Sequence, residues 1–130
     1  WLAHIIRRIE MDLRFFSQND SGEFIDELFS ISLSEKEFHE FLLKTNGGNI
    51  AIREPLVMKQ GFFVIEGVDY TNGSEIIINP REQGNDLIFL VNGNYLGILL
   101  DYARISENSD DSVGEIRKLI EAGIRLLISA

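Results

Sequence analysis

Residues 33–48 read Leu-Ser-Glu-Lys-Glu-Phe-His-Glu-Phe-Leu-Leu-Lys-Thr-Asn-Gly-Gly, a helix with its own start and stop signals. Ser34 followed three residues later by Glu37 has the spacing of a capping box, in which each side chain satisfies a backbone N–H left open by the first helical turn. Phe38, Phe41 and Leu42 then recur at i, i+3 and i+4, so they share one apolar face of a helix over 35–44. Asn46-Gly47-Gly48 follows, three residues that tolerate positive φ and so end the helix and turn the chain.

Upstream, Leu2, Ile5, Ile6, Ile9, Leu13 and Phe16 fall at helical spacing, which predicts an amphipathic helix over 2–17 with Arg7, Arg8 and Arg14 off the apolar stripe. Residues 17–22 are loop chemistry, and Phe24, Ile25 and Leu28 suggest a short second helix over 23–29. Downstream of Gly48 the period becomes strand-like. Runs over 49–53, 61–67 and 74–79 read as strands, with Pro55 between the first two and Pro80 stopping the third. Residues 87–91 and 94–100 read as two more strands joined by Asn92-Gly93, a strong hairpin dipeptide. Because 87–91 is apolar on both faces, it is expected to be a central, covered strand.

A polar loop over 106–112 leads to Ser112 and Glu115, spaced as a second capping box. Val113, Ile116, Leu119, Ile120, Ile124, Leu127 and Ile128 then build a closing helix. The expected architecture is α+β: N-terminal helices, an antiparallel sheet of about five strands, and a C-terminal helix packed on the sheet. Residues 1–130 read as one domain, without internal repeats or a dividing linker.

Composition narrows the function. With 130 residues and 45% hydrophobic content, the chain can bury roughly two-thirds of its unfolded surface without covalent staples. The absence of cysteine excludes disulfides and thiolate metal sites. No apolar run approaches the roughly 20 residues that cross a bilayer. Trp1 to Ile6 precede Arg7-Arg8, the reverse of a secretory leader's charge order, so a cytoplasmic location and no membrane partner are expected. A net charge of −9 argues against nucleic acid, whose phosphates require a basic footprint. The same charge suits a basic partner, although acidity also serves solubility alone.

Little in the chain resembles catalysis. His4 and His39 both lie on expected helices and lack the i, i+4 partner of a metal-binding pair. Asp110-Asp111 before a helix is explained by capping and the helix dipole. No nucleophile elbow, phosphate loop or dinucleotide fingerprint occurs, so no catalytic residue, metal or cofactor is expected. The remaining candidates are loop residues for binding a partner. They are Asp69, Tyr70 and Asn72 between two strands, Asp101 and Tyr102 at the end of another, and Glu107, Asp110 and Asp111 before the last helix. Tyrosine flanked by carboxylates offers contact area at low entropic cost, though loops are polar on general grounds as well.

The pattern of an acidic start, an aromatic, Phe-Leu-Leu, two residues and Asn-Gly-Gly resembles the signature of the SUKH superfamily. Gly84-Asn85-Asp86 with the apolar run to Val91, and Gly97 to Asp101-Tyr102, are similar to the strands and the aromatic–acidic pair that follow in that family. The chain departs from it at Ser34, where the family carries proline after leucine, and the resemblance covers about 33–128. It implies a scaffold role for Ser34, Glu37, Asn46, Gly47 and Gly48. It further implies an immunity protein that binds a cognate toxin, such as a nuclease, and occludes its working surface. A regulatory or scaffold domain of the same fold, like the fungal cell-wall regulators, is the first alternative. A small ligand-binding domain or enzyme with a pocket around Asp101 and Glu66 is the second.

Overall fold

Met11, Leu13 and Phe15 alternate with Asp12 and Arg14, and this period of two prevails over the helical spacing in the same residues. The computed structural model describes residues 10–19, 21, 24–53, 64–67, 76–78, 80–84, 86–106 and 108–129. Glu10–Gln18 is strand β1 and Phe24–Ser34 is β2, paired antiparallel. The helices expected over 2–17 and 23–29 are thereby corrected to strands wherever the structure describes them; residues 1–9 lie outside the described residues. The physical reason is cross-strand matching: Met11, Leu13 and Phe15 face Leu33, Ile31 and Phe29, so one face of the pair is continuously apolar.

The chain continues as α1 (Glu35–Lys44), β3 (Ile50–Arg53), β4 (Val64–Gly67), β5 (Ile76–Ile78), β6 (Pro80–Gln83), β7 (Asp86–Asn92), α2 (Gly93–Ala103) and α3 (Ser112–Ser129). The α+β class holds, and α3 packs against β2 as a C-terminal helix on a sheet. The single antiparallel sheet of about five strands is corrected. The described strands form a four-stranded sheet in the order β2-β1-β7-β6 and a three-stranded sheet in the order β4-β3-β5. Within the first, β1 and β7 run parallel, which makes that sheet mixed.

The strand expected over 94–100 is also corrected, to helix α2. Leu96, Leu99, Leu100 and Ala103 follow helical spacing and all pack into or against the core. The hairpin lies one connection earlier: Gln83 pairs with Asp86 across Gly84-Asn85, with Gly84 at φ +63°. Pro80, expected only to stop β5, opens β6, where a missing N–H is tolerated. The second cap shifts by one residue. Asp111 rather than Ser112 accepts from the Gly114 N–H at 3.2 Å, and Ser109 Oγ donates to Glu115.

The expected central strand is central. β7 lies between β1 and β6, with Leu87, Ile88, Phe89 and Val91 buried. On its inner face the rings of Phe29, Phe15 and Phe89 stack in a row across β2, β1 and β7, with centroids 4.7 Å apart at each step. Phe38 and Phe41 of α1 and Ile116, Ile120 and Ile124 of α3 join the same core, as do Ile50, Ile52, Ile65 and Ile78 of the smaller sheet.

The two edges of the large sheet are treated differently. Along β2, Arg117 Nε donates to the Ser30 carbonyl at 3.2 Å and Arg125 Nη2 to the Ser32 carbonyl at 3.4 Å. Arg125 also pairs with Glu37 at 2.7 Å and Glu121 at 3.3 Å. Exposed ion pairs of this kind contribute about 0–1 kcal/mol each, so their main consequence is positional: α3 covers the β2 edge. At the other end of the sheet β6 is the terminal strand, with Arg81, Glu82 and Gln83 all exposed.

Candidate partner-binding site

The site is built outward from α1. Its capping box is present: the Ser34 N–H donates to Glu37 Oε1 at 2.9 Å and the Glu37 N–H to Ser34 Oγ at 3.2 Å. The Ser34 N–H is the main reason the Glu37 carboxyl sits below its ordinary range, and the Ser34 hydroxyl and Arg125 act in the same direction. At the other end Asn46 adopts φ 54° and the Gly47 N–H reaches back to the Leu42 carbonyl at 2.9 Å, closing the helix in a Schellman arrangement. Lys44 Nζ donates to the carbonyls of Leu127 and Ile128, so the last turn of α1 satisfies the last turn of α3.

Gly48 explains why the turn carries a second glycine. It sits at φ +98°, is buried, and its N–H donates to Oγ1 of the buried Thr45 at 2.9 Å. A Cβ there would lie 2.8 Å from Leu87 Cδ1 and 3.0 Å from Pro80 Cγ. The turn thus passes directly over the start of β6 and β7. Gly47, at φ +90°, faces open space.

Beside this turn lies a recess of about 200 Å³, lined by Met11, Phe38, Leu42, Leu87, Gly84, Glu82 and Asp86. It exists because the inner-face positions of β6 are Pro80, opposite Phe89, and Glu82, opposite Leu87. Neither supplies a bulky apolar side chain to fill the end of the groove under α1. The floor is therefore apolar, and Glu82 is the carboxylate at its rim. Asp86 Oδ1 accepts from the Asp12 N–H at 3.2 Å, and its Oδ2 lies 3.9 Å from Arg14, whose stronger partner is Glu27 at 3.0 Å. The Glu82 carboxylate makes no hydrogen bond or ion pair with another described residue. Pockets that enclose whole small molecules run to roughly 300–1,000 Å³, so this one is the size of a side chain.

The residues singled out from sequence are dispersed. Asp101 is exposed on α2, not at a strand end, and Tyr102 is half-buried against the core. Asp110 is exposed in the connection between α2 and α3, while the Asp111 carboxylate is engaged as the α3 cap. Asp69, Tyr70, Asn72 and Glu107 lie outside the described residues, as does the Glu66 side chain. Ser34 and Glu37 form the capping box of α1, and Asn46, Gly47 and Gly48 take positive φ at its end. Sequence reasoning missed Glu82 and Asp86. The dipeptide Gly84-Asn85, itself a hairpin signal, could have placed them on facing strands.

His39 is exposed on α1, and no three His, Asp or Glu side chains converge as metal ligands among the described residues. No described helix is long and apolar enough to cross a membrane. In comparisons with protein-family models, curated proteins and solved structures, the chain matches none.

Proposed function

We propose that the chain is a binding protein of the cytoplasm that neutralises a basic protein, such as a nuclease toxin, by covering its active or substrate-binding surface. This is the role implied by its resemblance to SUKH immunity proteins. The observation that supports the reading is the doubly capped helix and its Asn46-Gly47-Gly48 turn, on a chain of net charge −9. No bond is made or broken in this mechanism. A rigid acidic domain meets a basic surface, and occlusion follows from contact. Nanomolar inhibition requires about 12 kcal/mol of net binding free energy, and the charge contributes chiefly to the rate of encounter.

The test is capture of partners by tagged protein from its own cells at about 50 mM and about 500 mM salt, since screening shortens the reach of charge. The expected result is stoichiometric recovery of a basic protein, weaker at high salt, whose activity is lost when the two are recombined. Charge reversal at Asp101 and Asp110 to Lys then slows association if the α2–α3 connection takes part. Recovery of a neutral protein held equally at both salts overturns neutralisation in favour of a regulatory scaffold.

A further inference from the structure

We propose that the partner docks as an extended segment along β6, with one lysine or arginine side chain seated in the adjoining recess. This rests on the binding reading above and names the surface. Three independent features converge on it. First, β6 ends the sheet and no described strand pairs with its outer edge, whereas the β2 edge is closed by Arg117 and Arg125. An edge without a partner among the described strands is a template for strand addition, which supplies affinity through the main chain and specificity through alternate side chains.

Second, the recess opens on the same sheet face as Glu82 and Leu87, which are paired neighbours across β6 and β7. A strand added beside β6 directs every second side chain to that face. Third, the chemistry of the recess matches a long cationic side chain and no other common type. Met11, Phe38, Leu42 and Leu87 form an apolar floor for its methylenes. Glu82 stands at the rim for its charge, while the Asp86 carboxylate is engaged by the Asp12 N–H and lies beside Arg14, which leaves Glu82 as the acceptor. A carboxylate side chain would meet like charge, and a neutral apolar one would leave Glu82 without a partner.

The experiment is a two-dimensional NMR titration of isotope-labelled protein with a capped strand peptide, acetyl-Thr-Val-Lys-Val-Thr-amide, and with its Lys→Glu counterpart. The expected result is saturable shifts at Arg81, Glu82, Gln83 and Gly84 and at the side chains of Met11, Leu42 and Leu87, at roughly millimolar affinity. The shifts disappear for the Lys→Glu peptide and fall at least about tenfold in affinity for Glu82→Lys protein, whose substitution is exposed and leaves the spectrum otherwise unchanged. No shift at this face, or equal shifts with both peptides, overturns the proposal. The two readings fail separately. A captured partner bound equally by wild-type and Glu82→Lys protein removes this surface and keeps neutralisation. A peptide that docks here in a protein that captures no basic partner keeps the surface and removes neutralisation.

Discussion

Replacing Gly48 with alanine tests the link between the turn and the sheet beneath it. Two terms add. An L-residue at φ +98° is strained by about 1–2 kcal/mol, and a methyl at 2.8 Å from Leu87 Cδ1 and 3.0 Å from Pro80 Cγ forces repacking at about 1–3 kcal/mol. The stiffer unfolded chain returns about 0.4–1 kcal/mol, so the net loss is about 1–4.6 kcal/mol. Gly47→Ala is the internal control. It has φ +90° but nothing within 4 Å, so only the conformational part applies, a net loss of about 0–1.6 kcal/mol. Urea unfolding followed by far-ultraviolet circular dichroism measures both variants on one scale. Shortening Leu87 to Val in the Gly48→Ala background relieves part of the contact, so the double variant should lose less than the sum of the two single losses. Equal losses for Gly47→Ala and Gly48→Ala, within about 0.5 kcal/mol, would refute the close-approach argument.

The remaining expectations concern the strands and the acid limb of stability. Phe15→Ala should cost about 3–5 kcal/mol, because it empties the middle of the ring stack, and Phe16→Ala on the opposite face far less. A helix over these residues would reverse that order, since Phe16 and not Phe15 lies on the helical stripe; comparative chemical denaturation decides between them. The Glu37 carboxyl lies below its ordinary value of 4.5 in the folded state. Its contribution is therefore present above that value and is lost as pH falls through the folded one. Melting temperatures recorded from neutrality down to about pH 3 should fall less steeply for Glu37→Gln than for wild type, and a carboxyl titration midpoint at or above the ordinary value would contradict the assignment.

The legible parts of the fold were those with local causes. α1 could be bounded to the residue because Ser34, Glu37 and Asn46 act within a few positions of themselves, and β7 could be recognised as covered because every residue from Leu87 to Val91 is apolar. The failures share one physical origin. Leu13 satisfies both a helical stripe with Ile9 and Phe16 and a strand face with Met11 and Phe15, and nothing local separates the two periods. The same ambiguity let 94–100 read as a strand when Leu96, Leu99 and Leu100 form a helical face.

The amino-acid sequence by itself determined the α+β class, the α1–Asn46-Gly47-Gly48 unit, the closing helix and the acidic character of the chain. Only the tertiary structure decided that β1 is a strand, because strand pairing satisfies backbone groups with a partner distant in sequence. Only it decided that α3 lies along the β2 edge, because Arg117 and Arg125 reach β2 from the far end of the chain. The recess beside β6 belongs to neither list of local signals: it is what remains where Pro80 and Glu82 leave the inner face of the sheet unfilled.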